Sequence, residues 1–257
     1  MARASYKTRA IVLRKTKLGE SDLILTLLAA DGSQLRAVAK GARKPNNSFS
    51  ARLELYSVVD VLCSEGKNLD IVKEARLLVA NEKLRTEIEY VSSAAPMAEL
   101  LDKITQAGLA DERFFNMTEL TFSRLNQAQP SILPALCAAH ILKTLAFAGL
   151  RPSLKVCISC GNDIGFNTSG KLLHMSLREG GIACDSCSPH LDTIRMDPEL
   201  VSWIHFMLVS TFAEIENAAV DPRTSFEILH FCQSWIQEHI GLRLKSLNFM
   251  FTCGLYE

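Results

Sequence analysis

The 257-residue chain carries 28 Lys and Arg against 28 Asp and Glu, and it is 48% hydrophobic and 22% charged. That composition is ordinary for a globular protein and excludes collagen and a disordered chain, while the length suits one large domain or two small ones. The neutral total is uneven: residues 1–80 hold 14 basic and 8 acidic side chains, and the remainder holds 14 and 20. A basic end on a balanced chain points to a polyanion met by that end alone.

The first 78 residues read as strands. Thr8 to Lys15 is rich in β-formers, with Ile11 and Leu13 on one face and Ala10 and Val12 on the other. Leu23 to Leu28 is an almost continuous apolar run of the kind a buried strand needs, and Asp31-Gly32 after it marks a tight hairpin. Leu35, Ala37 and Ala39 then alternate with Arg36, Val38 and Lys40. A fourth strand is predicted from Leu55 through Val58, Val59 and Val61 to Leu62, and a fifth over Leu69 to Lys73. Five short strands must close on themselves or leave reactive edges. A five-stranded barrel of the OB type fits that count, and an SH3-like barrel fits the pattern almost as well.

After Ala80 the period becomes helical. Residues 81–107, 111–128, 131–149, 198–217 and 223–242 show apolar residues at three- and four-residue spacing. Asp197-Pro198 and Asp221-Pro222 supply the cap and first-turn proline of the last two. The expected class is therefore α+β, with an OB-type barrel over residues 1–80 and a helical domain over 81–257. An insert at about 151–196 interrupts the helices.

That insert contains Cys157-Ile158-Ser159-Cys160 and Cys184-Asp185-Ser186-Cys187. Two such knuckles bring four thiolates around one ion, and a closed four-sulfur site is the mark of structural zinc. Cys157, Cys160, Cys184 and Cys187 are thus the expected ligands, and zinc the expected cofactor. A redox pair would need only one knuckle, and an iron–sulfur cluster is the minor alternative. A nucleobase deaminase would need His-x-Glu, which no histidine here provides. The start, Met1-Ala2-Arg3, has no apolar stretch behind it and no apolar run nears the ~20 residues of a membrane span, so a cytoplasmic location is expected and disulfides are not. Cys63, Cys137, Cys232 and Cys253 read as small core residues or free thiols.

The barrel gathers its charge in two places. Arg9, Arg14, Lys15 and Lys17 lie on strand one and its exit. Arg36, Lys40, Arg43 and Lys44 lie on strand three and the loop through Asn46 to Phe49, with Arg52 beyond. Such a loop reads as mobile, exposed and free to track phosphates, with Tyr6 and Phe49 as stacking rings. These nine cations are the candidate DNA-binding residues. The alternative is a solvated charged rim, and Arg9 and Arg52 serve equally well as structural ion-pair partners. Phosphate-loop, dinucleotide, nucleophile-elbow and zinc-protease motifs are missing, so the chain reads as a binding protein rather than an enzyme.

Certain strings carry a resemblance. They are Thr8-Arg9-Ala10-Ile11-Val12-Leu13, Gly19-Glu20-Ser21-Asp22-Leu23-Ile24-Leu25, and Leu35-Arg36-Ala37-Val38-Ala39-Lys40-Gly41-Ala42-Arg43-Lys44. With Phe147-Ala148-Gly149-Leu150-Arg151-Pro152-Ser153-Leu154 leading into Cys157-x-x-Cys160-Gly161, the chain resembles the RecO family of bacterial recombination mediators. The resemblance implies a non-catalytic, nucleoid-associated DNA repair protein that binds single- and double-stranded DNA and anneals complementary strands. It implies work with RecR to load RecA onto DNA coated by single-strand-binding protein (SSB), and capture of the acidic SSB tail by the helical domain. Arg124, Lys143 and Arg151 are candidates for the basic rim of that tail site. Some members lack these cysteines, so the metal is not essential to the family's activity, and the acidic second domain departs from an all-over basic surface. The competing hypothesis is a zinc-stapled scaffold that binds protein or structured RNA without annealing DNA.

Overall fold

The computed structural model describes residues 4–45, 47–165 and 171–255. Met1-Ala2-Arg3, Asn46 and residues 166–170 of the insert lie outside the described residues. The chain divides into two compact units, Met1–Pro130 and Ser131–Glu257.

The first unit is built on a closed barrel of strands β1 (Ser5–Leu18), β2 (Asp22–Ala29), β3 (Gln34–Ala39), β4 (Val58–Ser64) and β5 (Asp70–Val79). Around the barrel the order is β1-β2-β3-β5-β4. Every seam is antiparallel except β3–β5, where Ala37 faces Asp70 and Val38 faces Ile71. This is the five-stranded OB-type barrel predicted from alternation and strand count. β1 is long because it serves two partners: Ser5 to Ile11 pair with β4, and Ala10 to Leu18 pair with β2. A bulge between Val12 and Arg14 bends the strand between the two seams.

Inside, Val12, Leu25, Leu27, Val59 and Val61 fill the core, and Leu53, at the end of the short helix α1 (Ser48–Arg52), joins them. Asp31-Gly32 makes the β2–β3 turn as predicted, with the Ser33 amide and hydroxyl both donating to Asp31 Oδ1 (2.9 and 2.7 Å). Gly32 has φ +83°, and a Cβ there would sit 1.8 Å from the carbonyl oxygen of Asp111. The glycine lets the hairpin tip press against the backbone at Asp111 and Glu112.

Helices α2 (Lys83–Thr86), α3 (Ile88–Ile104) and α4 (Glu112–Leu125) belong to this unit, so the compact boundary falls beyond the change of period at residue 80. α3 and α4 pack on β1, which buries Ile11 and Leu13 as fully as the inward Ala10 and Val12. The Asn81 amide donates to the Tyr56 carbonyl (2.8 Å), and the Tyr56 ring meets Phe122 edge-on at 5.5 Å. Arg14 reaches from β1 to Asp102 of α3 at 3.4 Å. The Asp102 side chain is only 7% exposed, whereas that of Arg14 is 49% exposed.

The second unit is helical: α5 (Leu133–Phe147), α6 (Pro198–Val209), α7 (Phe212–Ala218), α8 (Pro222–Ile240) and α9 (Lys245–Thr252). The apolar window Pro130–Phe147 would suit a membrane by composition, but most of it is buried inside the protein as a core helix. α8 packs against it and buries Ile228, Phe231, Trp235 and Ile236, and the Trp235 indole donates to the Leu150 carbonyl (2.8 Å). Asp197 and Asp221 cap α6 and α8, each followed by its proline. The predicted helix 198–217 is in fact two, because Thr211 and Glu214 form a reciprocal cap that starts α7. Between α5 and α6 the insert folds around a three-stranded sheet of β6 (Leu173–Ser176), β7 (Gly181–Ala183) and β8 (Ile194–Met196), in the order β7-β6-β8.

Two stability predictions follow from these contacts. Arg14→Ala leaves the buried Asp102 carboxylate short of its guanidinium and should lower unfolding free energy by about 1 kcal/mol in urea denaturation. Asp102→Asn in the same background should recover most of that loss, which a mere packing defect would not allow. His140 is wholly buried in α5, and burial drives its imidazole down from 6.5 to about 3. Between those values the unfolded chain takes a proton that the folded chain refuses. The His140 contribution to stability is therefore complete above about pH 6.5 and declines on acidification by about 1.4 kcal/mol per pH unit. Urea midpoints at about pH 7 and 5.5 read that slope, and His140→Gln should flatten it.

Candidate metal centre and nucleic-acid interface

The insert brings its four predicted ligands together. The sulfurs of Cys157, Cys160, Cys184 and Cys187 all lie within 4.8 Å of one another, and Cys160 Sγ is 3.8 Å from Cys184 Sγ. Each knuckle is a tight backbone turn. In the first, the Gly161 amide donates to the Cys157 carbonyl (2.9 Å) with Gly161 at φ +75°. In the second, the Cys187 and Ser188 amides both donate to the Cys184 carbonyl (3.0 and 2.9 Å). The knuckles are joined through β7: the Ile158 amide donates to Ile182, and Ser153 exchanges bonds with Gly180 and Ile182. A Cβ on Gly181 would stand 2.3 Å from the Ser153 carbonyl oxygen, so only glycine permits this docking.

Burial works against ionisation of Cys157, yet the amides of Cys160, Cys184 and Ser159 point at its sulfur and lower the thiol to about 6. A buried sulfur turned toward the thiolate form, surrounded by three more, is a site for a thiophilic cation. Cys63, Cys137 and Cys232 lie buried elsewhere in the two cores.

The nine candidate cations separate into groups. Arg14 is engaged with Asp102, and Lys15 lies 2.9 Å from Glu54, so both brace the barrel. Lys17, Lys40, Arg43 and Lys44 gather at one turn, all exposed, and Arg36 is exposed on β3. Two of the strings singled out in the sequence build that turn jointly. Asp22 Oδ1 accepts from the Gly41 amide at 2.7 Å, the Arg43 amide donates to the Ser21 carbonyl at 2.9 Å, and Arg43 Nη1 donates to the Gly19 carbonyl at 2.9 Å. The Gly41 amide, then the Ser21 hydroxyl, hold the Asp22 carboxyl below its ordinary value, and Lys40 and Lys44 add to this. The segment expected to be mobile is thus pinned at its start, because a carboxylate from β2 caps it.

Arg9 and Arg52 lie elsewhere, in a cavity of about 730 Å³ over β1, β4 and β5. Arg9 is 4.0 Å from Asp60 and 3.7 Å from Glu119, and Arg52 Nη1 donates to the Ala75 carbonyl at 3.1 Å. Lys7, Lys73 and Arg76, which the sequence reading missed, line the same cavity and are exposed. The alternation of Lys7 and Arg9 along strand one was a signal for two of these five cations. Of the two rings expected to stack on bases, Tyr6 donates to Asp70 and packs against the core, so it is engaged within the barrel. Phe49 also rests on the core but keeps one side on the cavity.

Among the residues considered for an acidic-tail rim, Arg124 belongs to the first unit and Lys143 and Arg151 to the second. Lys143 Nζ donates to the carbonyls of Leu208 (3.1 Å) and Ser210 (2.7 Å), closing the end of α6. Burial, then Arg151, lower its pKa. Arg151 is exposed.

Comparison with known proteins agrees with this architecture. Residues 1–80 match the family model described as "Recombination protein O N terminal", and residues 85–248 match "Recombination protein O C terminal". A protein of Bifidobacterium longum (strain DJO10A) named DNA repair protein RecO is 30% identical over 95% of this chain and 97% of its own length. Proteins of the same name from Desulfitobacterium hafniense (strain DSM 10664 / DCB-2) and Alkaliphilus metalliredigens (strain QYMF) are 31% and 28% identical. They cover 94% and 91% of this chain, and 87% and 93% of their own lengths. The chain, a cationic OB-type barrel followed by helices and a four-cysteine insert, belongs to the RecO family of DNA repair proteins.

Proposed function

We propose that this chain is a non-catalytic, cytoplasmic DNA-binding protein that anneals complementary strands in repair and homologous recombination. In this reading it acts with RecR to load RecA onto SSB-coated single-stranded DNA, and its helical unit recruits the acidic SSB tail, with Arg151 as the available cation. The observation that carries the proposal is the turn where the β1–β2 and β3–α1 connections are bonded together. It presents Lys17, Lys40, Arg43 and Lys44 to solvent on a fixed backbone. Cations held this way meet phosphates without losing much freedom on binding, and they read no base edges. Affinity then comes from released counterions, is nearly independent of sequence and weakens steeply with salt.

For the insert we propose zinc. A tetrahedron with metal–sulfur bonds of about 2.3 Å places its sulfurs about 3.8 Å apart, and Cys160 and Cys184 stand at that separation. The site is closed on four protein sulfurs, so the ion would hold the knuckles rather than act on a substrate. Strands β7 and β8 have only three residues each, so metal binding would add to the folding free energy of the insert.

Two measurements test these readings. Fluorescence polarisation with a labelled single strand across a salt series should give a steep linear fall of log affinity with log salt. Arg43→Ala with Lys44→Ala should weaken binding to all sequences alike and flatten the slope by roughly 1 per lost phosphate contact. Binding that ignores salt would favour the scaffold hypothesis. For the metal, Cys157→Ser should abolish the stoichiometric zinc seen by elemental analysis and lower the melting temperature. Zinc-free protein with unchanged melting would refute the assignment.

A further inference from the structure

The cations of the barrel form two clusters, not one, and they sit on opposite halves of β1. The first surrounds the turn described above, near Lys17. The second is the cavity over β1, β4 and β5, near Lys7 and Arg9, and the pairing registers explain how it arises. Arg9 faces Asp60, which faces Arg76; Lys7 faces Leu62, which faces Glu74. Between Leu62 and Cys63 the β4–β5 register slips, and Lys73 is the extra residue of that bulge, turned out of the ladder. Arg52 of α1 closes the cavity. Five cations thus line it against two carboxylates, Asp60 and Glu74, and all seven are exposed.

We propose that this cavity is a second single-strand site, which holds one nucleic-acid strand while the Lys17–Lys44 turn holds another. The proposal rests on the reading of the barrel as a DNA-binding module and goes beyond it in assigning two strands to one chain. Lys7 and Arg9 stand about 6.6 Å apart along β1, the spacing of successive phosphates on an extended single strand. The acidic partners of Arg9 are surface pairs at 3.7 and 4.0 Å, which hold little energy and yield to a phosphate. Phe49 and Leu62 add apolar surface for the bases between the cations. The Lys7 and Lys17 positions are separated by about 33 Å of strand, with Arg14, paired to Asp102 of α3, in between. One protein chain so charged can bring two strands together before they pair.

The test counts strands. Full-length protein is titrated with a thymidine strand of about twelve nucleotides, within the site size of one such barrel, and strands per chain are read by native mass spectrometry. Wild type should reach two strands per chain. Lys73→Glu with Arg76→Glu should stop at one, as should Arg43→Glu with Lys44→Glu, and the combined variant should take none. The milder Lys7→Gln with Lys73→Gln gives the same readout should the reversal variant unfold, and unchanged thermal melting shows that each fold is intact. Wild type saturating at one strand, or the cavity variant still taking two, overturns the second site. A wild type that takes no strand instead overturns the reading of the barrel itself.

Discussion

The whole first unit depends on β1 having two partners. A strand of 14 residues pairs with β4 along its first half and with β2 along its second, and the bulge at Val12/Arg14 makes the turn between them. This closes the barrel and leaves no long edge to recruit foreign strands. It also fixes where charge can stand. Side chains that alternate outward on the first half face β4 and β5, and those on the second half face β2 and the turn that follows β3. Both cationic clusters follow from the course of this strand.

A similar economy governs the turn itself. Asp22 is an acid in the middle of a basic surface, which at first sight opposes phosphate binding. Its carboxylate is occupied by the Gly41 amide and the Ser21 hydroxyl, so it acts as a backbone cap. Lys40 and Lys44 lie close enough to stabilise that charge, yet their side chains remain exposed. Gly41, at φ +67°, lets the amide point back at the carboxylate where a side-chain-bearing residue would be strained. Thus the acid and the glycine position the backbone that carries the cations.

How much of this was legible depended on whether the information was local. The knuckles were legible because sulfur spacing and metal chemistry specify each other within a few residues. Strand identities were legible because alternation persisted over Leu35 to Lys40 and β-formers over Thr8 to Lys15. The division of residues 198–217 into α6 and α7 was written in Thr211 and Glu214, three residues apart, although the apolar stripe ran through it. The partners of Arg14 and Lys15 were not legible: Asp102 and Glu54 reach them only once the barrel and α3 are assembled. Lys73 and Arg76 were missed for a related reason. Their place beside Arg9 depends on two registers and a bulge, and no pattern within β5 states either. The bond from Tyr6 to Asp70 was not legible either, because the acceptor lies on a strand 64 positions away.

The helical unit obeys a different constraint. Its centre, α5, is apolar on nearly every side, so it must be enclosed, and α6, α7 and α8 enclose it. Such a helix leaves no polar face from which a charged surface could be built. Polar groups in this unit sit at helix ends and in the insert, and also on the outer face of α8, where Glu227 and Glu238 are exposed. Lys143 illustrates the first: it lies partly buried and uses its ammonium to satisfy the last carbonyls of α6, which leaves Arg151 to face solvent. The insert illustrates the second, since its two knuckles bring four thiols to one point. Four sulfurs within 4.8 Å of one another give the insert a place for a metal ion between α5 and α6. The barrel thus closes through its hydrogen-bond ladder, whereas the insert converges on its four sulfurs.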